Sequence, residues 1–589
     1  MSKIPFKLVA ATTLLMLAQN AAFAAVAGGG LPGSAMPEQV GKALYNQQPS
    51  STEQGPSGIA PPKPHEAESP LGAQAQKIKF KLNGIVLEGN HVYSDAQLRA
   101  LYQDQIGKVI SVADLFNIVQ SITNFYRNNG YIISRAILPP QHVKNGVVHV
   151  QIIEGYIGNV DVAGNPRGAK CLLEAYGEQI KACRPLKIDR MTKYMLIANE
   201  TPATRTKAVL SPSKTEVGAA DLTLVADNSP ITGYLSYDNY GTRYIGPQQM
   251  TANLGINSFI TSGDSTQLTV TKTPKGQELT YVDLNYNAVV SSGGIRWLVG
   301  GTRVGTHPLF VLTASDIEGV NYNYYTSLQI PVIRTPSSSF TWQLSFNYLD
   351  SDVTTFNQEL YVDHIRSVGI GGTYNFADRW YGSNLIYADI RQGLPIFGYT
   401  TDTNPNTALT SHPGGQADYT KLDVQASRLQ AIKGPVSLYG MIKGQYGFSA
   451  LLASEQFSYG GSQLGRGYDV AEFLGDRGLA GSLELRYDLG VGKLFIQSLE
   501  FYLFYDAGIL WTLDPPVGTQ ARQSATSTGV GVRFFMNKYI SGNVMWAQPL
   551  TAPVLALQET NQVVINGQTF NKGNGFQPRV FFSIVATLE

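Results

Sequence analysis

From Ile231 onward the chain alternates apolar and polar residues in segments of about 10–12 residues, the period of strands with one apolar and one polar face. About 16 such segments start near residues 231, 247, 264, 277, 294, 319, 338, 361, 381, 416, 435, 478, 499, 525, 539 and 577, an even number that suits a single-chain outer-membrane barrel. The connections alternate in length. Ser262-Gly263-Asp264, Ser291-Ser292-Gly293-Gly294 and Met536-Asn537-Lys538 read as tight turns, whereas long loops run near 306–318, 393–415, 449–477 and 550–576. Short turns at one end and long loops at the other are expected of a transmembrane barrel; a soluble sandwich or propeller does not need them.

Ahead of the strands the period changes. A strand through Leu82-Asn83-Gly84-Ile85-Val86-Leu87 precedes the turn signal Gly89-Asn90 and two helices. In the second helix Val112, Leu115, Ile118, Val119, Ile122, Phe125 and Tyr126 recur at spacings of three and four, with Ser111 as cap and Asn129-Gly130 as stop. Strands are expected over Tyr131 to Leu138 and Val147 to Ile153. The same strand, helix, helix, strand, strand order recurs from Gly158 to about Asp227, with helices near Ala169–Lys181 and Asp189–Asn199 and strands near Thr204–Leu210 and Ala220–Ala226. Two small α+β docking modules are therefore expected, over 78–154 and 155–229, before a barrel over 230–589.

The start of the chain carries Lys3 and Lys7, an apolar run from Leu8 to Leu17 and then Ala22-Phe23-Ala24, the layout of a secretory leader over 1–24. Met36 to Gln48 predicts a short helix with Val40 and Leu44 on one face and Ser34 as cap, within an N-terminal segment over 25–48. Residues 49–77, rich in Pro, Ser, Gly and Glu and including Pro61-Pro62-Lys63-Pro64, read as a linker, so the helix is a movable part.

Composition agrees with a barrel: 60 Gly, 32 Tyr and 24 Phe with only 15% charged residues suit many amphipathic strands and turns. A net charge of +1 carries no footprint for nucleic acid. The 7 His form no ligand cluster, no Gly-rich phosphate loop precedes a helix and no nucleophile elbow belongs to a triad, so neither a metal, a cofactor nor catalysis is expected. Asp238, Asp264 and Asp283 read as solvated turn or lumen carboxylates. The two cysteines, Cys171 and Cys183, lie close together in an exported chain and are expected to form a disulfide.

Alternation assigns the faces of the segment from Leu499. Leu499, Phe501, Leu503 and Tyr505 form an apolar row, and Glu500, Tyr502, Phe504, Asp506 and Gly508 form the other, which puts Asp506 in the lumen. A charge on the lipid side costs on the order of 2–4 kcal/mol for a basic residue near the midplane and somewhat less for Asp, so the lumenal carboxylate needs water or a cation. Arg466, between Gly465 and Gly467 in the longest loop, can supply the cation if that loop folds inward; otherwise it sits in water and Asp506 is unpaired.

The segments GRGYD (465–469), GDRGLAGSLELR (475–486) and FYLFYDAG (501–508) resemble the sixth-loop and neighbouring-strand motifs of the two-partner secretion transporters, the hemolysin-activator family. NGYIISRAILPPQHVKNGVVHVQIIEG (129–155) and TKAVLSPSKTEVGAADLTLVA (206–226) resemble the ends of that family's two POTRA domains, and YDNYGTRYIGPQQ (237–249) its first barrel hairpin. The resemblance implies that Arg466 and Asp506 pair inside the lumen, with Gly467, Tyr468 and Phe504 around them, and that the 36–48 helix plugs the pore. It also implies periplasmic POTRA domains that meet the partner, for which Tyr131, Pro139 and Pro140 mark a contact region. The partner implied is a secreted exoprotein with an N-terminal two-partner secretion domain, carried by a monomer embedded in outer-membrane lipid. Two rivals stand beside this reading: a barrel-assembly insertase, which usually has more POTRA domains, and a diffusive porin, which has no use for them. Two positions depart from the family pattern. Gly465 stands where Val is commoner and is expected to loosen the loop tip, and the chain ends in Glu589 rather than an aromatic, although Phe582, Ile584, Ala586 and Leu588 still form a lipid-facing row.

Overall fold

The computed structural model describes residues 31–47, 75–274, 276, 278–401, 409–493, 496–515, 520–551, 562–565, 568–571 and 577–588. The expected leader over 1–24, nearly all of the linker expected over 49–77, and Glu589 lie outside the described residues.

Sixteen antiparallel strands close into one barrel, the last pairing with the first. They begin at Ile231, Gln249, Ser265, Leu279, Arg296, Ile317, Ser338, Gln358, Gly382, Thr420, Val436, Arg477, Ile496, Arg522, Ile540 and Arg579, so each strand expected from alternation is present within four residues of its expected start. The outward rows are apolar and exposed, as with Leu235, Leu254, Ile370, Ile386, Leu483 and Leu503, because lipid rather than protein covers them. Ile584, Ala586 and Leu588 of the last strand belong to the same exposed row, with Phe582 half-buried above them. Among the described residues no helix is long and apolar enough to span a membrane.

Each α+β module is a three-stranded sheet with helices on one side. In the first, Gly84–Glu88 pairs in parallel with Val147–Ile153, which also takes the three-residue edge strand Arg135–Ile137. In the second, Tyr156–Asn165 pairs in parallel with Ala219–Asn228, whose other neighbour is Thr204–Pro212. The repeat seen in the sequence is thus a repeat of topology. In the first module Val112–Asn128 starts in a capping box, Ser111 Oγ accepting from Asp114 N at 3.1 Å and the Asp114 carboxylate accepting from Ser111 N at 2.9 Å. The hydrogen bonds from the Ser111 backbone and side chain hold the Asp114 carboxyl below its ordinary range.

The expected strand from Tyr131 is shorter than its apolar content suggested. Tyr131 N bonds back to Tyr126 O and Ser134 N to Tyr131 O, so 131–134 form a turn and only Arg135–Ile137 joins the sheet. The disulfide does not form. Cys171 lies in the first turn of helix Lys170–Lys181 and Cys183 just past its other end, both free. A rise of about 1.5 Å per residue puts their Cα atoms roughly 15 Å or more apart, against a limit of about 7 Å for a disulfide. Maleimide labelling of the unreduced, denatured protein is expected to add two labels per chain; a mass without label would mean that the cysteines pair.

The second module sits directly under the barrel turns. Ser262 Oγ donates to Gly168 O at 2.7 Å and accepts from Leu172 N at 3.0 Å, while Glu200 bridges Arg334 at 2.7 Å and Arg296 at 3.3 Å. These contacts mark the short-turn end of the barrel as the periplasmic one. Asp264, read as solvated, is instead buried and organises one of those turns by accepting from the backbone N–H groups of Phe259, Ile260 and Thr261. Asp283 is likewise buried, accepting from Thr302 and Tyr325, and Asp238 is nearly so.

Candidate functional site

Among the described residues two segments fill the lumen. The first is the helix Pro37–Gln47, whose Val40 and Leu44 face packs on Ile245, Leu279, Tyr281 and Val304 of the barrel wall and its loops. Proline suits the first helical position because its missing N–H would have no intrahelical partner there. Ser34, expected as the cap, belongs instead to a preceding 3-10 turn, Gly33–Ala35, and its buried hydroxyl makes no hydrogen bond among the described residues. Glu38 is buried and accepts from Ser351 Oγ at 2.8 Å and Tyr361 Oη at 3.0 Å. Gln39 donates to Ala453 O, and Lys42 reaches Ser454 O and Gln456 O at 3.4 Å.

Those last three acceptors belong to the second segment, the sixth surface loop, between strands that end at Gly447 and begin at Arg477. Short strands Phe457–Tyr459 and Phe473–Gly475 pair to make it a hairpin, and the hairpin folds inward until its tip is buried. The expected loosening at Gly465 does not occur. This glycine has φ +70°, and a Cβ there would come 2.7 Å from the Tyr459 ring, so valine would collide where glycine packs. At Gly467 a Cβ would lie 2.8 Å from Pro549 N, which shows how closely the loop backbone approaches the wall.

Between these glycines Arg466 is 3% exposed, and Asp506 on the barrel strand Ile496–Trp511 is 0% exposed. Arg466 Nε donates to Asp506 Oδ2 at 3.0 Å and Nη2 to Oδ1 at 2.7 Å, a bidentate pair, and Arg466 N adds a third bond at 3.1 Å. Nη2 also reaches Ser482 Oγ at 2.7 Å, Nη1 contacts Glu484, and the guanidinium lies 3.7 Å from the centre of the Phe504 ring. Tyr468 is buried, with its hydroxyl 2.8 Å from Thr526 O and 2.7 Å from Thr551 O. The alternative of a solvated Arg466 is thereby set aside in this conformation.

Ser482, Glu484, Arg486 and Arg533 were missed by the sequence reading. Glu484 meets Arg466, Arg486 at 2.6 Å and Arg533 at 3.2 Å, and Arg533 meets Glu500. The chain of Arg466, Arg486 and Arg533 against Asp506, Glu484 and Glu500 balances in charge, as groups withdrawn from water require. A signal was available, because Ser482, Glu484 and Arg486 alternate onto one strand face.

The contact region expected in the first module separates into unlike parts. Tyr131 packs edge-on to Tyr93 and Tyr126 as part of the module's own core, whereas Pro139 is half-buried and Pro140 exposed beside the edge strand Arg135–Ile137. Among the described residues no cluster of His, Cys, Asp and Glu could hold a metal.

A closed barrel with α+β modules at its periplasmic rim, and with a helix and a returning surface loop inside, defines an outer-membrane translocation pore. Residues 219–534 match the family described as haemolysin secretion/activation protein ShlB/FhaC/HecB, and residues 80–155 match the ShlB-type POTRA domain. The chain belongs to the ShlB/FhaC/HecB family of two-partner secretion transporters of the outer membrane. It is 25% identical over 502 residues to the heme/hemopexin transporter protein HuxB of Haemophilus influenzae strain 86-028NP, covering 82% of this chain and 86% of the relative. To the outer membrane transporter CdiB of Dickeya dadantii it is 22% identical over 501 residues, with 82% and 85% covered. The solved structure of CdiB from Escherichia coli shares the fold, with a TM-score of 0.68, 17% identity and coverage of 94% and 98%.

Proposed function

We propose that this chain exports one large exoprotein, bearing an N-terminal two-partner secretion domain, unfolded from the periplasm to the cell surface. The observation that carries the proposal is the paired filling of the lumen, with helix Pro37–Gln47 and the sixth loop joined through Gln39 and Lys42. Two removable elements inside a rigid wall make a gated conduit, whereas a diffusive porin works with its lumen open. The helix is the plug, and the sixth loop is a second gate anchored by Arg466 and Asp506, with Gly467, Tyr468 and Phe504 seating it.

The POTRA modules capture an extended segment of the cargo by adding it as a strand to an exposed sheet edge, main-chain hydrogen bonds supplying affinity and side chains selectivity. Edge strand Arg135–Ile137, with Pro139 and Pro140 beside it, is one such edge. Export needs no ATP if folding outside the cell traps the cargo, and the transporter acts as a monomer held by outer-membrane lipid.

The experiment is to delete the gene and follow surface display of the large exoprotein encoded beside it, together with the levels of other outer-membrane barrels. Loss of that one protein with the other barrels unchanged is expected. A general fall in barrels would replace the proposal with an insertase, and no change in either would favour a porin.

A further inference from the structure

Three residues beyond Arg466 the same loop tip carries Asp469, whose side chain is fully buried and belongs to a different set of contacts. Its Oδ1 accepts from Arg579 Nη1 at 2.6 Å and its Oδ2 from Arg243 Nε. Arg243 also reaches Glu472, in the same loop, at 3.2 Å. Arg243 lies in the surface loop after the first barrel strand, Ile231–Asp238, and Arg579 opens the last, Arg579–Leu588. These are the two strands that close the barrel on itself.

Among the described residues their seam is the shortest ladder in the barrel, with six paired positions from Ser583↔Asp238 to Leu588↔Gly233, where other neighbouring strands pair over eight or more. Toward the cell surface one further backbone bond, from Asn239 N to Phe582 O at 3.2 Å, is joined by the Asn239 side chain: its Oδ1 accepts from Phe582 N at 2.7 Å and its Nδ2 donates to Val580 O at 2.9 Å. Tyr240 stacks on Phe581 with ring centres 5.7 Å apart. Beyond that last backbone bond the surface end of the seam depends on side chains, and it places two guanidinium groups on opposite sides of the join. Without a carboxylate between them those cations would repel; with Asp469 they are bridged by charge-assisted hydrogen bonds.

We infer that Asp469 is a positioning residue that braces the closing seam: the inward-folded sixth loop supplies the carboxylate that ties first strand to last, so seating the loop and closing the seam are one event. When the loop withdraws, Arg243 and Arg579 lose their shared partner and the surface end of the seam loosens. The consequence for export rests on the reading of the sixth loop as a gate, but the brace itself does not.

The test is hydrogen–deuterium exchange of the purified full-length protein in lipid nanodiscs, which involves no cargo and is independent of the secretion assay. Asp469→Asn is expected to speed exchange about tenfold in 231–238 and 579–588 while leaving the ladder between Ser338–Thr355 and Gln358–Ala377 unchanged. Asp469→Glu, which keeps the charge, is expected to restore most of the protection. Arg579→Gln should reproduce the seam effect, and the double variant should add little to either single change, because both remove the same bridge. Should Asp469→Asn fail to assemble, Arg579→Gln carries the same test from the strand side. Unchanged exchange at the seam, or an equal rise around the whole barrel, would overturn the inference.

Discussion

Arg466→Ala and Asp506→Ala are expected to lower export of the partner exoprotein about tenfold or more while the barrel still assembles in the outer membrane. Breaking a buried ion pair on one side leaves the other charge uncompensated, a penalty of about 3–5 kcal/mol. Carried entirely by the inward-folded loop, that penalty shifts its equilibrium with a displaced state by more than about 100-fold. The ladder that closes the wall does not depend on the pair: the strand bearing Asp506 is paired from Ser498 to Trp511 on one side, and its other neighbour bears Ser482 and Glu484. The two variants should differ in severity. Without Asp506, Arg466 still has Glu484 and Ser482; without Arg466, the loop tip loses all three partners, whereas Glu484 keeps Arg486 and Arg533. Arg466→Lys is expected to behave like Arg466→Ala, since an ammonium cannot bridge both carboxylates with a planar fork. Surface exoprotein and heat-modifiable barrel are measured in the same cells. Normal export by both alanine variants would remove the anchor from the mechanism.

Deleting residues 31–47 is expected to raise single-channel conductance in planar bilayers several-fold, because the helix fills part of the lumen against Ile245, Leu279, Tyr281 and Val304. Its seat is polar as well as apolar, so a milder change should act in the same direction. Glu38→Ala removes the acceptor for Ser351 and Tyr361, and a buried hydroxyl left without a partner costs about 1–3 kcal/mol. The wall on the other face offers a complementary change, since a Cβ at Gly41 would stand 2.7 Å from Val304 Cγ2 and a large residue there should unseat the helix too. Export is expected to continue in these variants. If the deletion leaves conductance at its original level, the helix is not the barrier and the sixth loop alone closes the pore.

Period-two alternation was enough to place all sixteen barrel strands and to put Asp506 on the lumenal face, because the pleat of a strand imposes that period locally. The topological repeat of the two α+β modules was legible for the same kind of reason, as was the capped helix from Val112. Local signals failed where a contact competed with them. Tyr131 looked like strand but turns back to Tyr126, and Gly465 looked like a weak point but is required by the Tyr459 ring. The expected disulfide overlooked that a helix separates Cys171 from Cys183.

The amino-acid sequence by itself determined which strand faces are apolar and which polar, and the order of strands and helices along the chain. These follow from the repeat lengths of strand and helix, which neighbours along the chain impose. Only the tertiary structure decided that Glu484 shares Arg466 with Asp506, that the amino-terminal helix lies against the sixth loop, and that Asp469 meets Arg243 and Arg579, 226 and 110 positions away. Such partners depend on the register in which sixteen strands close and on the path by which a surface loop returns through the lumen. Barrel closure brings these distant positions together, and no local period records it.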